Sequence, residues 1–415
     1  MADPVAIVKG KGSKLIDEQG NEYIDAISSW WVNLHGHAHP YIAEKLYRQA
    51  LELEQVIFAG FTHEPAINLA ERLLPILPGD FSKIFYSDNG STSTEVALKM
   101  AIQYWWNNAG NDTQKHTLKR NKILAFKNAY HGDTFGAMSV SDRSVFTLAF
   151  HDLLFEVVFI DTPAEDTINN IKATISQHAD EIAAFIYEPL VQGAGGMKMY
   201  EAVWLNELLK EVKRYDILCI ADEVMTGFGR TGKLFASEYM EEKPDIICLS
   251  KGLTGGTMAL GVTACTEKIY TAYLSDDKLK TFFHGHSFTA NPLACTAALA
   301  SLDLLQQPQT MDQIAWLEIE NEIFSFTLNS MVKGLHLKNI RVLGTILAFE
   351  IAKGEDEYLN NISTAFTEKA TKLGVYIRPL GNTVYIMPPY CIDASELATV
   401  QDVIFNVLNA MWKTV

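Results

Sequence analysis

The sequence has few cysteines and no long apolar run. Its five cysteines in 415 residues are odd in number and form no Cys-x-x-Cys pair, which argues against both a disulfide framework and a thiolate zinc site. They lie mostly in apolar segments, which predicts buried free thiols at Cys219, Cys248, Cys265, Cys295 and Cys391. No apolar stretch approaches the ~20 residues of a membrane span, and the first residues lack the pattern of a signal peptide. A cytoplasmic protein is therefore expected.

Positive charge is also scarce. The sequence has 34 Lys and Arg against 50 Asp and Glu, a formal net charge of -16. An acidic surface repels nucleic acid and anionic membranes, so neither is an expected partner. Any anionic ligand must therefore be bound by a local arrangement of donors.

Short, continuous apolar runs alternate with helical patterns between about residues 82 and 265. Six runs predict strands: "KIFYS", "KILAFKN", "EVVFID", "IAAFIYEP", "ILCIADEV" and "DIICLSKG". Continuous hydrophobicity is typical of parallel strands covered on both faces, so we predict an α/β fold with a large domain at 40–300. Residues 1–39 and 301–415, with an N-terminal hairpin around "EQGN", predict a smaller α+β domain. The polar stretch 107–121 is interpreted as a loop.

The segment "SSWWVNLHGHAHP" (28–40) has three histidines at alternate positions. On a strand this spacing would place three imidazoles on one face, as a metal site requires. Gly36 and Pro40 break such a strand, and no cysteine lies nearby. We therefore predict no metal site and interpret this segment as a loop whose histidines hydrogen-bond backbone groups, which leaves the two adjacent tryptophans unexplained.

The segment "YSDNGSTSTEVALKMAIQYWW" passes from a strand through a glycine turn into a helix. Gly90 permits the turn, Ser91 or Thr92 can cap the helix, and Thr92 with Glu95 has the spacing of a capping box. Free backbone N–H groups at such a helix start suit a phosphate. An ordinary capped helix explains the same residues, and the Walker pattern is missing because no Gly-Lys-Ser/Thr follows.

Two charged residues stand at the ends of neighbouring apolar runs. Asp222 ends "LCIAD", and Lys251 follows "DIICLS". Ligands of open parallel sheets gather at the carboxyl ends of strands. A buried lysine that readily loses its proton can form a Schiff base with an aldehyde, and an ionised aspartate can keep a pyridine ring protonated. Although most lysines simply reach the surface, a phosphate turn, an acid and a lysine together suit pyridoxal 5'-phosphate.

Four segments carry a family resemblance: "FIYEPLVQGAGGMKMY", "LCIADEVMTGFGRTGKLFA", "DIICLSKGLTGG" and "HGHSFTANPLACTAAL". Together they resemble the signature segments of the class III aminotransferases of pyridoxal-phosphate fold type I. The resemblance runs from about residue 5 to the end. It implies a large domain with a mostly parallel seven-stranded sheet, a smaller α+β domain and a homodimer with shared active sites.

The resemblance also implies roles for the residues just described. Lys251 would hold the cofactor covalently and move the proton during catalysis. Asp222 would pair with the pyridinium nitrogen, and Tyr130 would lie against the ring and meet the substrate. The remaining cofactor contacts would come from two turns, with His286 and Ser287 contributed by the other subunit: Gly90, Ser91, His286 and Ser287.

The substrate side of the site follows from the biotin-pathway branch of the family, which "SSWWVNLHGHAHP" and "VYIRPLGNTVYIMPPY" resemble most. This implies transfer of an amino group from S-adenosylmethionine to 8-amino-7-oxononanoate, giving 7,8-diaminononanoate. Arg378 would bind the acceptor carboxylate, Gly285 would allow close approach, and Trp30 with Trp31 would line the pocket. Trp31 fits a core position equally well.

The sequence departs from the family pattern in two places. No "HPY"-like aromatic segment precedes "ADPVAIVKG", so that part of the pocket wall is expected to be missing or replaced. His286 and Ser287 stand where relatives often have Pro-Thr, and the serine keeps the hydroxyl for the phosphate.

Three alternatives remain open. Lysine could replace S-adenosylmethionine as the amino donor, or the chain could be another class III transaminase acting on an ω-amino acid, ornithine or a diamine. A noncatalytic metal-binding or ligand-binding protein built on the histidine-rich loops is the third alternative.

Overall fold

The computed structural model describes residues 4–109, 119–352 and 362–412. The strands are β1 Ile7–Lys11, β2 Lys14–Asp17, β3 Glu22–Asp25, β4 Phe81–Ser87, β5 Lys122–Phe126, β6 Val157–Ile160, β7 Ile182–Tyr187, β8 Val191–Gln192, β9 Lys198–Met199, β10 Leu218–Asp222, β11 Ile246–Leu249, β12 Gly261–Thr266, β13 Leu337–Leu343, β14 Ile346–Ile351, β15 Val375–Tyr376 and β16 Thr383–Ile386. The helices are α1 Ser28–Trp31, α2 Pro40–Glu52, α3 Glu64–Leu73, α4 Gly90–Asn108, α5 Phe135–Val140, α6 Ile168–His178, α7 Ala202–Arg214, α8 Glu267–Thr271, α9 Pro292–Leu305, α10 Pro308–Leu335, α11 Ile362–Lys372 and α12 Ala394–Trp412.

A seven-stranded sheet forms the centre of the molecule, in the order β4-β12-β11-β10-β7-β5-β6. The neighbouring strands from β11 to β6 pair in parallel. Because β12 is antiparallel to both β11 and β4, it is the one strand of this sheet that runs in the opposite direction. The predicted mostly parallel seven-stranded sheet is confirmed.

Each of the six apolar runs identified in the sequence forms a strand of this sheet. Every residue of β7, β10 and β11 is buried, as continuous hydrophobicity requires when helices cover both faces. The helix predicted after Gly90 crosses one face and packs against β4, β7, β11 and β12. The carboxyl ends of β4, β10 and β11 therefore reach the same edge of the sheet, with the start of α4 beside them.

Two smaller sheets are built from the two ends of the chain. The predicted N-terminal hairpin is formed by β2 and β3, and β3 continues the sheet by pairing in parallel with β15 through Ile24 and Val375. A second, antiparallel sheet has the order β13-β14-β16, with α10 packed on β13 and β14. In the first of these sheets, β3 and β15 are therefore neighbours although more than 300 residues separate them in the sequence.

The start of α4 corrects one local prediction. The helix is capped by Asn89, whose Oδ1 accepts from the Thr92 N–H at 3.0 Å, while Thr92 Oγ1 accepts from the Asn89 N–H at 3.0 Å. The predicted Thr92–Glu95 capping box was wrong because Gly90 is already the first helical residue. Glu95 Oε1 instead accepts from the backbone N–H of Gly136 at 2.7 Å.

The expectations for the cysteines and for the loop at 107–121 are confirmed only in part. Four cysteines are buried free thiols, as predicted, but Cys391 is exposed. Of the predicted loop at 107–121, residues 107 and 108 belong to α4, and 110–118 lie outside the described residues. No helix in the described part of the chain has the length and apolarity needed to cross a membrane.

Candidate active site

A cavity of about 450 Å³ opens at the carboxyl ends of the parallel strands. The structure brings six of the eleven sequence-predicted site residues to its wall: Trp31, Gly90, Ser91, Tyr130, Asp222 and Lys251. Polar neighbours that the sequence analysis had not named also line it: Asn89, His131, Glu188, Thr226, Ser250 and Thr257. The cavity thus joins the turn, the acid and the lysine, which come from three separate segments of the chain.

Asp222 is the last residue of β10 and has a fixed orientation. Its Oδ2 atom lies 2.7 Å from His131 Nδ1, and its Oδ1 atom accepts from the Val224 N–H at 3.0 Å. His131 is buried, and its Nε2 atom has no hydrogen-bond partner among the described residues. A carboxylate held in this way suits a protonated ring nitrogen, with which it forms a charge-assisted hydrogen bond.

Lys251 follows β11 and begins a short 3-10 helix, with a φ of 45°. Its Nζ atom lies 4.3 Å from the centroid of the Trp31 ring. Burial lowers the pKa of the Lys251 amine to about 8, although the carboxylates of Asp222 and Glu188 act in the opposite direction. A substantial fraction of the amine is therefore neutral near physiological pH, and the neutral amine is the form that attacks an aldehyde.

The turn before α4 leaves little room beside its backbone. A Cβ atom added to Gly90 would lie 2.8 Å from Val224 Cγ1. A Cβ atom added to Gly132, whose φ is 132°, would lie 2.2 Å from Ser91 Oγ. These two glycines keep the backbone N–H groups at the helix start close to the cavity, where they form a cradle for an anion. The residues present therefore fit pyridoxal 5'-phosphate, with the cradle for its phosphate and Asp222 and Lys251 for its ring.

Glu188 and Tyr130 form the side of the cavity near β7. Glu188 Oε1 accepts from the Tyr130 N–H at 3.0 Å, and Oε2 accepts from the Gly193 N–H at 2.9 Å. Burial raises the pKa of Glu188 to about 7. The Tyr130 hydroxyl donates to Asp133 Oδ2 at 2.7 Å. Glu188 stands at the end of an apolar run just as Asp222 does, so the same sequence signal could have identified it.

Trp31 is both a core residue and part of the cavity wall, the two positions expected for it. It is buried, and its Nε1–H donates to the Tyr385 hydroxyl at 2.9 Å, yet one part of its ring lines the cavity beside Lys251. Ser28, Ser29 and Trp31 have φ values of 53°, 59° and 68°. Backbone strain of this kind costs on the order of 1–3 kcal/mol per residue and persists where the surroundings impose it.

Contacts with the histidine-rich loop help to impose the strained backbone of the Ser28–Trp31 segment. The carboxylate of Asp25 accepts from the Ser29 N–H at 2.6 Å and from His37 Nε2 at 2.9 Å. His35 Nε2 lies 3.1 Å from Ser301 Oγ. These histidines bind side chains of the fold, whereas hydrogen bonds to the backbone were expected. The loop holds the tryptophan segment in place.

Trp30 and Arg378 lie together but outside the cavity. The Arg378 guanidinium carbon is 4.5 Å from the centroid of the Trp30 ring, and 56% of Trp30 is exposed. Trp30 lines a neighbouring apolar groove with Tyr23 and Tyr376. Within one chain the structure therefore pairs the two residues with each other without bringing them to Lys251.

Gly285, His286 and Ser287 also lie outside the cavity of their own chain. Gly285 and Ser287 are exposed, and the His286 ring is directed toward Asp88, with Nδ1 3.3 Å from Asp88 Oδ2. The Ser287 carbonyl accepts from Gln55 Nε2 at 2.9 Å. The backbone of this segment is thus held at Ser287 by Gln55 of the same chain.

Comparisons with known proteins agree with this geometry. The family model described as aminotransferase class-III matches residues 1–408. Adenosylmethionine-8-amino-7-oxononanoate aminotransferase of Synechococcus elongatus is 46% identical over 98% of this chain and 95% of its own length. The enzyme of that name from Staphylococcus aureus is 36% identical over 98% of this chain and 93% of its own.

Two solved structures are similar over nearly the whole chain. The adenosylmethionine-8-amino-7-oxononanoate aminotransferase of Methanocaldococcus jannaschii has a TM-score of 0.91 and 34% identity, covering 99% of this chain and 94% of its own. An amine transaminase from an uncultivated Pseudomonas species, in a PLP-bound form, has a TM-score of 0.90 and 28% identity, covering 98% and 95%.

Proposed function

This chain belongs to the class III aminotransferases, and on that premise we propose that it transfers an amino group from S-adenosylmethionine to 8-amino-7-oxononanoate, a step of biotin biosynthesis. Its cofactor is pyridoxal 5'-phosphate, on which the family depends. Because the chain belongs to an enzyme family, the alternative of a noncatalytic metal-binding or ligand-binding protein is set aside. The observation that supports the reaction chemistry best is the meeting of Lys251, Asp222 and the turn at Gly90 around one cavity.

The cofactor supplies an aldehyde for the amino group and a protonated ring that accepts electrons. The residues of this chain have separate tasks in that chemistry. With the cofactor bound, Asp222, held by His131, would keep the ring nitrogen protonated. Lys251 would hold the cofactor at its aldehyde and would take and return a proton at the substrate carbon; burial lowers the pKa of its free amine to about 8. Gly90 and Ser91 would bind the phosphate, and Tyr130 would close one side of the site.

The acceptor side of the proposal rests on Arg378 and Trp30. A guanidinium fork suits a carboxylate, and an exposed indole beside it suits an aliphatic chain. Stacking of Arg378 on Trp30, 4.5 Å from the ring centroid, supports their use as one unit. Gly285, which has no side chain, would leave room for the substrate.

We further propose a homodimer in which each site is completed by His286 and Ser287 of the partner. Support comes from the exposed position of Ser287, which is not among the residues that line the cavity in the described part of its own chain. The division into a large domain at 40–300 and a small domain from 1–39 and 301–415 is part of the proposal, supported by the pairing of β3 with β15. So is the cytoplasmic location expected from the sequence.

The decisive experiment measures 7,8-diaminononanoate formation by the purified holoenzyme with 8-amino-7-oxononanoate and S-adenosylmethionine. Single-turnover reactions with S-adenosylmethionine, lysine and glutamate, run side by side, identify the amino donor. Only a true donor converts the bound cofactor to its amine form and bleaches its visible absorption. Conversion by lysine alone would replace the donor in this proposal. Absence of product with every donor, together with turnover of an ω-amino acid, ornithine or a diamine, would replace the acceptor.

A further inference from the structure

The side chains of the segment from Phe282 to Ser287 alternate between two environments. Phe282, His284 and His286 are half-buried against their own chain, whereas Phe283, Gly285 and Ser287 are exposed. A Cβ atom added to Gly285 would meet no heavy atom of the described residues within 4 Å. One face of the segment, which includes His286, is therefore held by its own subunit, and the other presents Gly285 and Ser287.

The held face is joined to α4 and the turn before it through two side-chain hydrogen bonds and one ion-pair contact between His286 and Asp88. His286 Nδ1 lies 3.3 Å from Asp88 Oδ2, and His286 Nε2 lies 3.0 Å from His284 Nε2. His284 Nδ1 lies 2.9 Å from Lys99 Nζ, which also donates to the Phe283 carbonyl at 3.2 Å. Lys99 stands in the third turn of α4 and Asp88 two residues before the helix, so the ends of the chain lie on the helix that carries Gly90 and Ser91 and on the turn that leads into it.

Only one arrangement of protons satisfies all three contacts. The Lys99 ammonium can only donate, so His284 Nδ1 accepts and the neutral ring carries its proton on Nε2. That N–H donates to His286 Nε2, which leaves the His286 proton on Nδ1, the ring atom 3.3 Å from Asp88 Oδ2. A second proton on either ring would remove an acceptor from the chain.

The surroundings favour the neutral form of His284. Burial lowers the pKa of His284, and the nearby Lys99 and His286 act in the same direction, while the Glu95 carboxylate of α4 opposes them. The ring of Phe282 stacks on His284 with an interplanar angle of 11°. Phe85 of β4 contacts the same imidazole edge-on, so its position is fixed from two sides.

We propose that Lys99, His284, His286 and Asp88 form a positioning clamp, which fixes the segment against the start of α4 so that Ser287 is held ready for the cofactor phosphate. The proposal deepens the function proposed above and rests on the role given there to Ser287. It assigns His286 to positioning through Asp88 and adds three residues that the sequence analysis had not named.

The first test reads the protons directly. Nitrogen-15 NMR of the holoenzyme with labelled histidine at pH 8 is expected to show His284 as the Nε2–H tautomer and His286 as the less common Nδ1–H tautomer. His284→Asn and His286→Asn assign the signals. An Nε2–H tautomer at His286, or averaging between tautomers, would overturn the clamp, whatever reaction the enzyme catalyses.

The second test measures how fast pyridoxal 5'-phosphate leaves the holoenzyme. His286→Asn keeps a donor near the position of Nδ1 but is too short to place an acceptor at the position of Nε2, where His284 donates, and Asp88→Asn removes the carboxylate at the end of the chain. Each is expected to speed cofactor release about three- to tenfold, the effect of one ordinary hydrogen bond. The double variant should be no faster than the faster single variant, because both break one chain.

His178→Asn is the matched control, since His178 on α6 makes a similar contact with Glu181, 3.2 Å away and outside the candidate site. It should leave cofactor release unchanged. If Ser287→Ala speeds release but the two clamp variants do not, the clamp is refuted and the role of Ser287 stands. If Ser287→Ala has no effect, the proposed role of Ser287 fails, and the NMR result decides separately whether the clamp forms.

Discussion

His131 Nδ1 and Asp222 Oδ2 lie 2.7 Å apart, although 91 residues separate them in the sequence. Both side chains are buried, so the contact is shielded from water. His131 also donates its backbone N–H to Ser141 Oγ at 2.9 Å, which fixes the imidazole on the far side of the carboxylate. The orientation of Asp222 toward the cavity is thus set by a residue that need not touch the substrate.

His131→Leu should lower kcat by about 10- to 100-fold, since a hydrogen bond to a charged group contributes roughly 1.5–3 kcal/mol. His131→Asn should lose less, because the asparagine Nδ2–H can stand near the position of the histidine Nδ1–H. The measurement is single-turnover kinetics with the visible spectrum of the bound cofactor. Equal activity of the leucine variant and the unmodified enzyme would show that Asp222 needs no such partner.

Lys251→Ala should fold and lose nearly all turnover, because no other described amine lines the cavity. In the unmodified, cofactor-depleted enzyme, the rate of recombination with pyridoxal 5'-phosphate should rise about tenfold per pH unit up to about pH 8 and then level off. This profile follows the neutral amine, whose pKa is lowered from 10.5 to about 8 by burial. A rate that continues to rise toward pH 10.5, or near-normal transamination by the alanine variant, would contradict the assignment.

Glu188 should make stability depend on pH. Its pKa in the folded state, about 7, is above the value of 4.5 expected when unfolded, so the folded state binds the proton more tightly. The resulting stabilisation is complete below about pH 4.5 and is lost as the pH rises through 7. Between pH 5 and 8 the free energy of unfolding should therefore fall by roughly 2–3 kcal/mol more in the unmodified protein than in Glu188→Gln.

Urea unfolding of the two proteins at several pH values measures this difference. Glu207→Gln, on the surface of α7, serves as the control and should reproduce the profile of the unmodified protein. Parallel profiles for the unmodified protein and Glu188→Gln would mean that Glu188 is ionised over the whole range.

The sheet could be predicted from sequence because its strands are buried on both faces and therefore apolar without interruption. β12 was not identified, although it is just as buried, because its sequence, "GVTACT", mixes small and polar residues. The capping box was misplaced by one turn because Asn89, Ser91 and Thr92 are all good caps, and local sequence does not decide among them. The pairing of β3 with β15 depends on tertiary packing between distant segments.

The site was predicted in part for a similar reason. Asp222 and Lys251 follow apolar runs, which is a local signal, and the family resemblance supplied Tyr130 and the glycines. His131 follows Tyr130 directly in the sequence but was not assigned a role, because that role appears only when its loop reaches β10. The clamp residues Lys99 and Asp88 look like ordinary surface charges until α4 and the segment at His286 are seen side by side.

Ser287→Ala tests the proposed shared site. Loss of one charge-assisted hydrogen bond to the phosphate, worth roughly 1.5–3 kcal/mol, should weaken cofactor retention without unfolding the protein. Ser287→Thr keeps the hydroxyl and should retain the cofactor. In a mixed dimer of one Ser287→Ala chain and one Lys251→Ala chain, one site would combine an intact Lys251 with an intact Ser287 of the partner, so part of the activity should return. A fully active monomer would refute the arrangement.

Arg378→Ala should harm the acceptor half-reaction more than the donor half-reaction, because only the acceptor is expected to place its terminal carboxylate there. Since Arg378 is exposed and stacked on Trp30 in the single chain, the loss should lie toward the lower end of the roughly 2–5 kcal/mol seen when a buried charge loses its partner. Arg378→Lys is the matched control, because it keeps the charge but loses the fork and the flat stacking surface. Its rate in the acceptor half-reaction should therefore lie between those of Arg378→Ala and the unmodified enzyme. Single-turnover rates for each half-reaction, measured as a function of substrate concentration, separate the effects. Equal losses in both halves would place Arg378 in a role common to both substrates, and the acceptor carboxylate would then need another partner.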